Sequence, residues 1–177
     1  MVDYLTNEAE ALKLALHNEL KSYDFYKAAE KKAKSNFSKK TFSFLAEQEL
    51  GHMDRIKEFI EESEEHVDAD VQMESKEDFF EKSKDFFENT IRHFAQKLKA
   101  DKTDLNIYTV AMEIETSGFE YYKKALEKAK TKNLKIFFRF LMEQEQFHYQ
   151  LLENSYSYLN NPQGFFFNQE NWNFEGG

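Results

Sequence analysis

TFSFLAEQELGH, residues 41–52, returns as FFRFLMEQEQFH, residues 137–148, and the two segments agree at seven of twelve positions. Each contains Glu-x-x-His: Glu49 with His52 in the first copy, Glu145 with His148 in the second. Glu19 and Glu115 stand 30 residues upstream of the two glutamates, so all three pairs share one offset of 96 residues. Ala15/Ala111, Tyr26/Tyr122, Lys27/Lys123, Ala29/Ala125 and Ala33/Ala129 coincide at that offset too. Matched acids alone could be chance in a chain with 33 Asp and Glu. Matched flanks are not, and they imply two related helical hairpins.

On a helix a three-residue step puts two side chains on one face, less than a turn apart. Glu49/His52 and Glu145/His148 have that spacing, and Glu19 and Glu115 fall on the apolar stripes of their own helices. One Glu plus one Glu-x-x-His from each half is the ligand set of a carboxylate-bridged two-metal site in a four-helix bundle. Four carboxylates buried together would repel one another and lose hydration. Two divalent cations balance their charge, so Glu19, Glu49, His52, Glu115, Glu145 and His148 are the candidate metal ligands. A single Glu-x-x-His would carry little, since such a pair on a helix usually faces solvent; the repetition carries the inference. His17, His66 and His93 have no repeat mates and read as surface or structural residues. Glu47 and Glu143 are matched but lie about 200° round the helix from Glu49 and Glu145, and read as solvated. Tyr26 and Tyr122 follow Glu19 and Glu115 by seven residues, two turns along the same face. They are expected either to fill the core or to orient a ligand carboxylate through a hydrogen bond.

Five Gly and one Pro in 177 residues leave few helix breakers, which favours long helices. A net charge of −9 supplies no basic footprint for nucleic acid or an anionic membrane surface. No apolar run reaches the ~18 residues of a membrane span. The first residues, MVDYLTNE, lack the basic and apolar regions of a secretory signal, so a cytoplasmic location is expected. With no Cys there is no disulfide, iron–sulfur cluster or Cys-ligated zinc. Redox chemistry would have to come from metals or bound cofactors.

The periodicity predicts an all-α chain. A first helix is expected over 6–34, with Leu5, Ala9, Leu12, Leu16, Tyr23 and Tyr26 on its inner stripe. A turn at 35–38 leads to a second helix that ends near 62, with Phe42, Leu45, Ile56, Phe59 and Ile60 inside. Residues 63–75 read as a polar connection, and 76–99 as a shorter amphipathic helix carrying Phe79, Phe80, Phe86, Phe87, Ile91 and Phe94. Together they make a long crossover, expected to cap the bundle, with packing on a partner subunit as the alternative. A third helix begins after Thr103 or Asp104 and buries Leu105, Tyr108, Met112, Phe119, Tyr122 and Leu126. A fourth covers 132–160 and buries Leu134, Phe138, Leu141, Leu152, Tyr156 and Leu159. After Asn160-Asn161-Pro162 the chain is expected to leave the helix. The division expected is a bundle over 1–160 and an aromatic tail over 161–177. Phe165, Phe166, Phe167, Trp172 and Phe174 would dock that tail on the bundle or on another subunit. A homodimer or larger homo-oligomer is expected.

At Ala15-x-x-x-Glu19 with Tyr26, residues 45–52, Ala111-x-x-x-Glu115 with Tyr122, and residues 141–148, the chain resembles the ferritin-like superfamily, and within it the rubrerythrin-like branch. The resemblance covers roughly 6–160. It implies a ferritin-like four-helix bundle with a di-iron centre, Glu49 and Glu145 bridging, Glu19 and Glu115 terminal, and one His on each metal. Two departures stand out. Rubrerythrins proper carry a Cys-rich rubredoxin module that delivers electrons, and this chain has no Cys. They also carry a further carboxylate three residues after the third-helix glutamate, where this chain has Gly118, with Ser22 as its repeat mate. A symmetric six-ligand set is similar to a bacterioferritin ferroxidase centre.

The function expected is therefore an oxidoreductase using two Fe ions, with Mn or Zn as alternative occupants, to reduce peroxide or dioxygen with electrons from an external donor. Oxidation of a small organic substrate is a second enzymatic reading. Non-catalytic iron binding or storage is the alternative outside catalysis. A purely structural helical module is disfavoured by six polar groups on core stripes.

Overall fold

Ser35 and Thr131, repeat mates, start helices in the same way. Ser35 Oγ accepts the amide of Ser38 at 3.0 Å, and Thr131 Oγ1 that of Leu134 at 3.3 Å, each satisfying an amide that has no partner inside its own helix. Each cap follows a tight turn, and each turn closes a helical hairpin. The computed structural model describes residues 8–64 and 102–167. Its helices are α1 (Glu8–Lys32), α2 (Asn36–Glu64), α3 (Lys102–Lys128), α4 (Lys132–Asn160) and α5 (Pro162–Phe167). No strand occurs among the described residues. The expected crossover helix at 76–99, with His66 and His93, lies outside them, as do Trp172 and Phe174.

α1 pairs with α2 and α3 with α4; across the bundle α1 lies beside α3 and α2 beside α4. The relative direction of the hairpins follows from their ends. Asp104, at the start of α3, accepts the amides of Lys34 and Ser35 at the end of α1, at 2.7 and 2.9 Å. Glu8, at the start of α1, accepts the amide of Lys130 at the end of α3, at 2.9 Å. Helices α1 and α3 therefore run antiparallel and α2 and α3 parallel, so α2 ends and α3 begins at opposite ends of the bundle. The fold is an all-α ferritin-like bundle.

Two apolar clusters fill the bundle on either side of its middle, and they are repeat images of each other. One contains Ala29, Phe42, Leu45, Ala111 and Leu152. The other contains Ala125, Phe138, Leu141, Ala15 and Ile56. Ala15 and Ala111, both fully buried, let neighbouring helices approach closely at the level where the glutamates sit.

Several details depart from expectation. Ala9 is exposed, because it lies about 120° round the helix from Ala15, the middle of the buried arc. Asp104 lies inside α3 rather than ahead of it: its carboxylate is fully buried and caps the opposite hairpin's turn, not its own helix. The chain beyond Asn161 is helical again, because Pro162 occupies a first helical position, where its missing N–H costs nothing. Asn161 Oδ1 accepts the amide of Gly164 at 3.0 Å, and Phe165 packs edge-on against Tyr158 at 5.5 Å.

Candidate metal centre

Between the two apolar clusters the inward stripes of α1 to α4 turn polar. Glu19, Glu49, His52, Glu115, Glu145 and His148 are all buried there, none more than 4 % exposed. Their atoms converge in two overlapping groups, Glu19, Glu49, His52 and Glu145 in one and Glu49, Glu115 and His148 in the other, with potential ligand atoms within 4.8 Å of one another. Glu49 is common to both. His52 Nδ1 lies 3.0 Å from Glu19 Oε2 and 3.5 Å from Glu49 Oε2. His148 Nδ1 lies 3.0 Å from Glu49 Oε1 and 3.3 Å from Glu115 Oε2. The imidazoles face each other, with ring centres 5.3 Å apart and planes 18° from parallel.

The two tyrosines cross over. Tyr26 donates its hydroxyl to Glu115, and Tyr122 donates to Glu19, so each hairpin's phenol holds the other hairpin's carboxylate. Burial, and after it the charges of the neighbouring carboxylates, pushes both phenols well above their ordinary range. Both therefore remain donors at any ordinary pH.

The carboxylates do not behave alike. Burial, and then the charge of Glu49, pushes Glu19 up to about 8. Burial, then Glu115, Glu19 and Glu49, pushes Glu145 well above the carboxylate range. Burial acts on Glu49 in the same sense, but the imidazolium of His148, with hydrogen bonds from Glu19, His148 and His52, outweighs it and holds this carboxyl below its ordinary value. Burial would also lower both histidines; Glu19 and Glu49 instead lift His52 to about 9, and Glu115 with Glu49 lift His148 to about 10. Glu19, Glu49, His52, Glu145 and His148 are thus reconciled by sharing protons, as expected of ligands whose balancing charge is a cation.

A metal pair fits these residues. Both Glu49 oxygens are buried without a well-aligned hydrogen-bond donor, and the nearest balancing charges are the two histidines, His148 Nδ1 at 3.0 Å from Oε1 and His52 Nδ1 at 3.5 Å from Oε2, so a pair of metal cations could take over from the two imidazolium protons. Carboxylate oxygen and imidazole nitrogen suit iron, manganese or zinc. Glu47 is exposed and Glu143 half-exposed, outside the cluster, and His17 is exposed on α1.

The model of the rubrerythrin family matches residues 10–156, most of the chain and all six of these side chains. The chain belongs to the rubrerythrin family. Membership implies a di-iron carboxylate protein, in keeping with a buried carboxylate and histidine group that could hold metal. A hypothetical protein from Pyrococcus furiosus has the same fold, with a TM-score of 0.59 and 22 % identity over 88 % of this chain and 91 % of that one. No curated protein matches. Among the described residues of this rubrerythrin-family chain, no helix is long and apolar enough to cross a membrane.

Two contacts lie outside what the ligand motifs indicate. Glu8 and Asp104 are themselves 96 residues apart, and asking which acids occupy matched positions at the helix starts would have found them. The place of Gly118 carried no such signal. A Cβ at that position would stand 2.5 Å from Glu145 Oε2, so the carboxylate rests against bare backbone.

Proposed function

We propose that this chain is a di-iron carboxylate oxidoreductase that reduces peroxide or dioxygen at a dinuclear centre. Glu19 and His52 would hold one iron and Glu115 and His148 the other, with Glu49 between them and Glu145 beside the first. The observation that carries this reading is Glu49: buried, held below its ordinary carboxyl range and common to both groups, it would serve as the bridge a two-metal site requires. When bound, two Fe(II) ions supply the electron pair that, with two protons, reduces hydrogen peroxide to two molecules of water.

The chain's own groups hold and orient. Tyr26 and Tyr122 fix one oxygen each of Glu115 and Glu19, which leaves the other oxygen of each carboxylate for a metal. The flanking apolar clusters keep bulk water from either end of the centre. With no Cys in these 177 residues, repeated turnover needs an external electron donor. Protein loaded anaerobically with Fe(II) should oxidise rapidly in stopped flow on mixing with peroxide or dioxygen. Steady-state turnover should appear only with an added reductant. Iron that stays reduced under both oxidants would move the chain to iron binding or storage.

A further inference from the structure

Position 118 connects the centre to the surface. A groove of about 460 Å³ lies between α1 and α3, lined by three repeat-related pairs, Asn18/Ile114, Lys21/Ser117 and Ser22/Gly118. The groove meets the carboxylate cluster at Gly118, which lines it and abuts the Glu145 carboxylate. A symmetric bundle would close both sides of its floor alike. Here one side is Ser22 and the other Gly118, whose missing side chain leaves room for the Glu145 carboxylate, with Oε2 2.5 Å and Cδ 2.7 Å from where a Cβ would stand. Among the four carboxylates Glu145 is the most exposed, 4 % against 0 % for its mate Glu49.

We propose that the α1/α3 groove is the port through which a small oxidant of the O–O class reaches the centre, that Glu145 is its inner gate, and that Gly118 is the positioning residue giving that carboxylate space to move. The inference rests on the dinuclear reading above. A second depression, about 200 Å³ between α2 and α4, also approaches the cluster. It ends on the His52 ring, and Arg55, which lines it, lies over the Phe140 ring at 5.0 Å. An imidazole there offers no second binding mode, whereas a carboxylate can change the oxygen it presents.

The test uses the full chain loaded with ferric iron and azide as a small-ligand probe, followed by charge-transfer absorbance in stopped flow, after iron content has been measured. Ser117→Trp places bulk over the groove from an exposed position that touches no ligand. It should leave iron content unchanged and slow azide association by about tenfold or more, because association follows access. Gln48→Trp, in the opposite depression, should leave the rate at the wild-type value. Gly118→Ala should retain iron but alter azide affinity as well as rate, because its Cβ takes the space Glu145 now uses. Unchanged association in Ser117→Trp at full iron content, or slowing by Gln48→Trp instead, would overturn the port while leaving the dinuclear reading intact. A wild-type chain that holds no iron would overturn both.

Discussion

Glu49 and Glu145 occupy the same position in the two copies of one motif, yet their surroundings drive them to opposite states. Glu49 is sealed, belongs to both groups, and is held below its ordinary carboxyl range by the charge of His148. Glu145 joins the first group, meets Glu115 of the second, leans on the bare backbone of Gly118, and is pushed well above the carboxylate range by burial and then by Glu115, Glu19 and Glu49. The difference is environmental, since the residue type, the helical register and the histidine three residues on are the same. Identical residues in a duplicated fold thus divide, on the proposed reading, into a carboxylate placed to bridge and one placed to change the oxygen it presents. That division suits a centre that must hold its metals and still admit a reactant.

Metal content should separate the pair most strongly. Glu49→Ala removes an oxygen donor from both groups and is expected to drop bound iron from about two per chain to near zero, whereas Glu145→Ala should retain at least about one. Elemental analysis after anaerobic Fe(II) loading checks this, with Glu47→Ala and Glu143→Ala as controls that keep full content. Equal losses in Glu49→Ala and Glu145→Ala would erase the distinction.

Metal-free stability should shift in opposite directions. Glu145 has a folded pKa raised above its unfolded value, so its contribution is complete below the unfolded value near 4.5 and is lost as pH rises through the folded one. Glu49 is depressed, so its contribution is present above the unfolded value near 4.5 and is lost as pH falls. At pH 8, Glu49→Gln should lower the melting temperature of metal-free protein by several degrees, because it removes one of the two carboxylates, Glu115 and Glu49, that balance the charge of His148. Glu145→Gln should hold or raise it. Glu19, lifted to about 8, behaves as Glu145 does, so metal-free wild type should lose stability between about pH 5 and pH 8. Over the same range metal affinity should rise as bound metal displaces those protons, which calorimetry in buffers of different ionisation enthalpy would detect.

The crossed tyrosines sharpen the comparison at smaller scale. Tyr26→Phe should couple to Glu115→Gln by about 1 kcal/mol in a double-mutant cycle and show almost no coupling to Glu19→Gln, although Glu19 shares its helix. The reverse pattern would refute the crossing. Smallest is the contrast at the bundle ends. Asp104→Ala, which strips two amides of a buried acceptor, should cost about 2 kcal/mol in denaturant unfolding, and Glu8→Ala, with one amide at an exposed site, about 0.5.

Much of this molecule is legible in its residues. Four long helices, their pairing into hairpins and the six inward-facing polar groups follow from the 96-residue offset and helical spacing, because both are local or periodic properties of the chain. The fourth helix, expected near 132–160, spans Lys132–Asn160, its start set by the Thr131 cap. Ala9 was misplaced for want of an apolar neighbour to show where the buried arc ends, and Asp104 because an acid at a helix start reads as that helix's own cap. The 96-residue repeat could not reveal that Tyr26 serves Glu115 rather than Glu19, or that Glu49 and Glu145 part company. Motif and periodicity determined which groups enter the core and at what level. Which carboxylate is sealed, which is protonated and which hairpin's phenol holds it were decided only when the antiparallel docking of the two hairpins fixed distances between residues some ninety positions apart, because burial and charge act through space rather than along the chain.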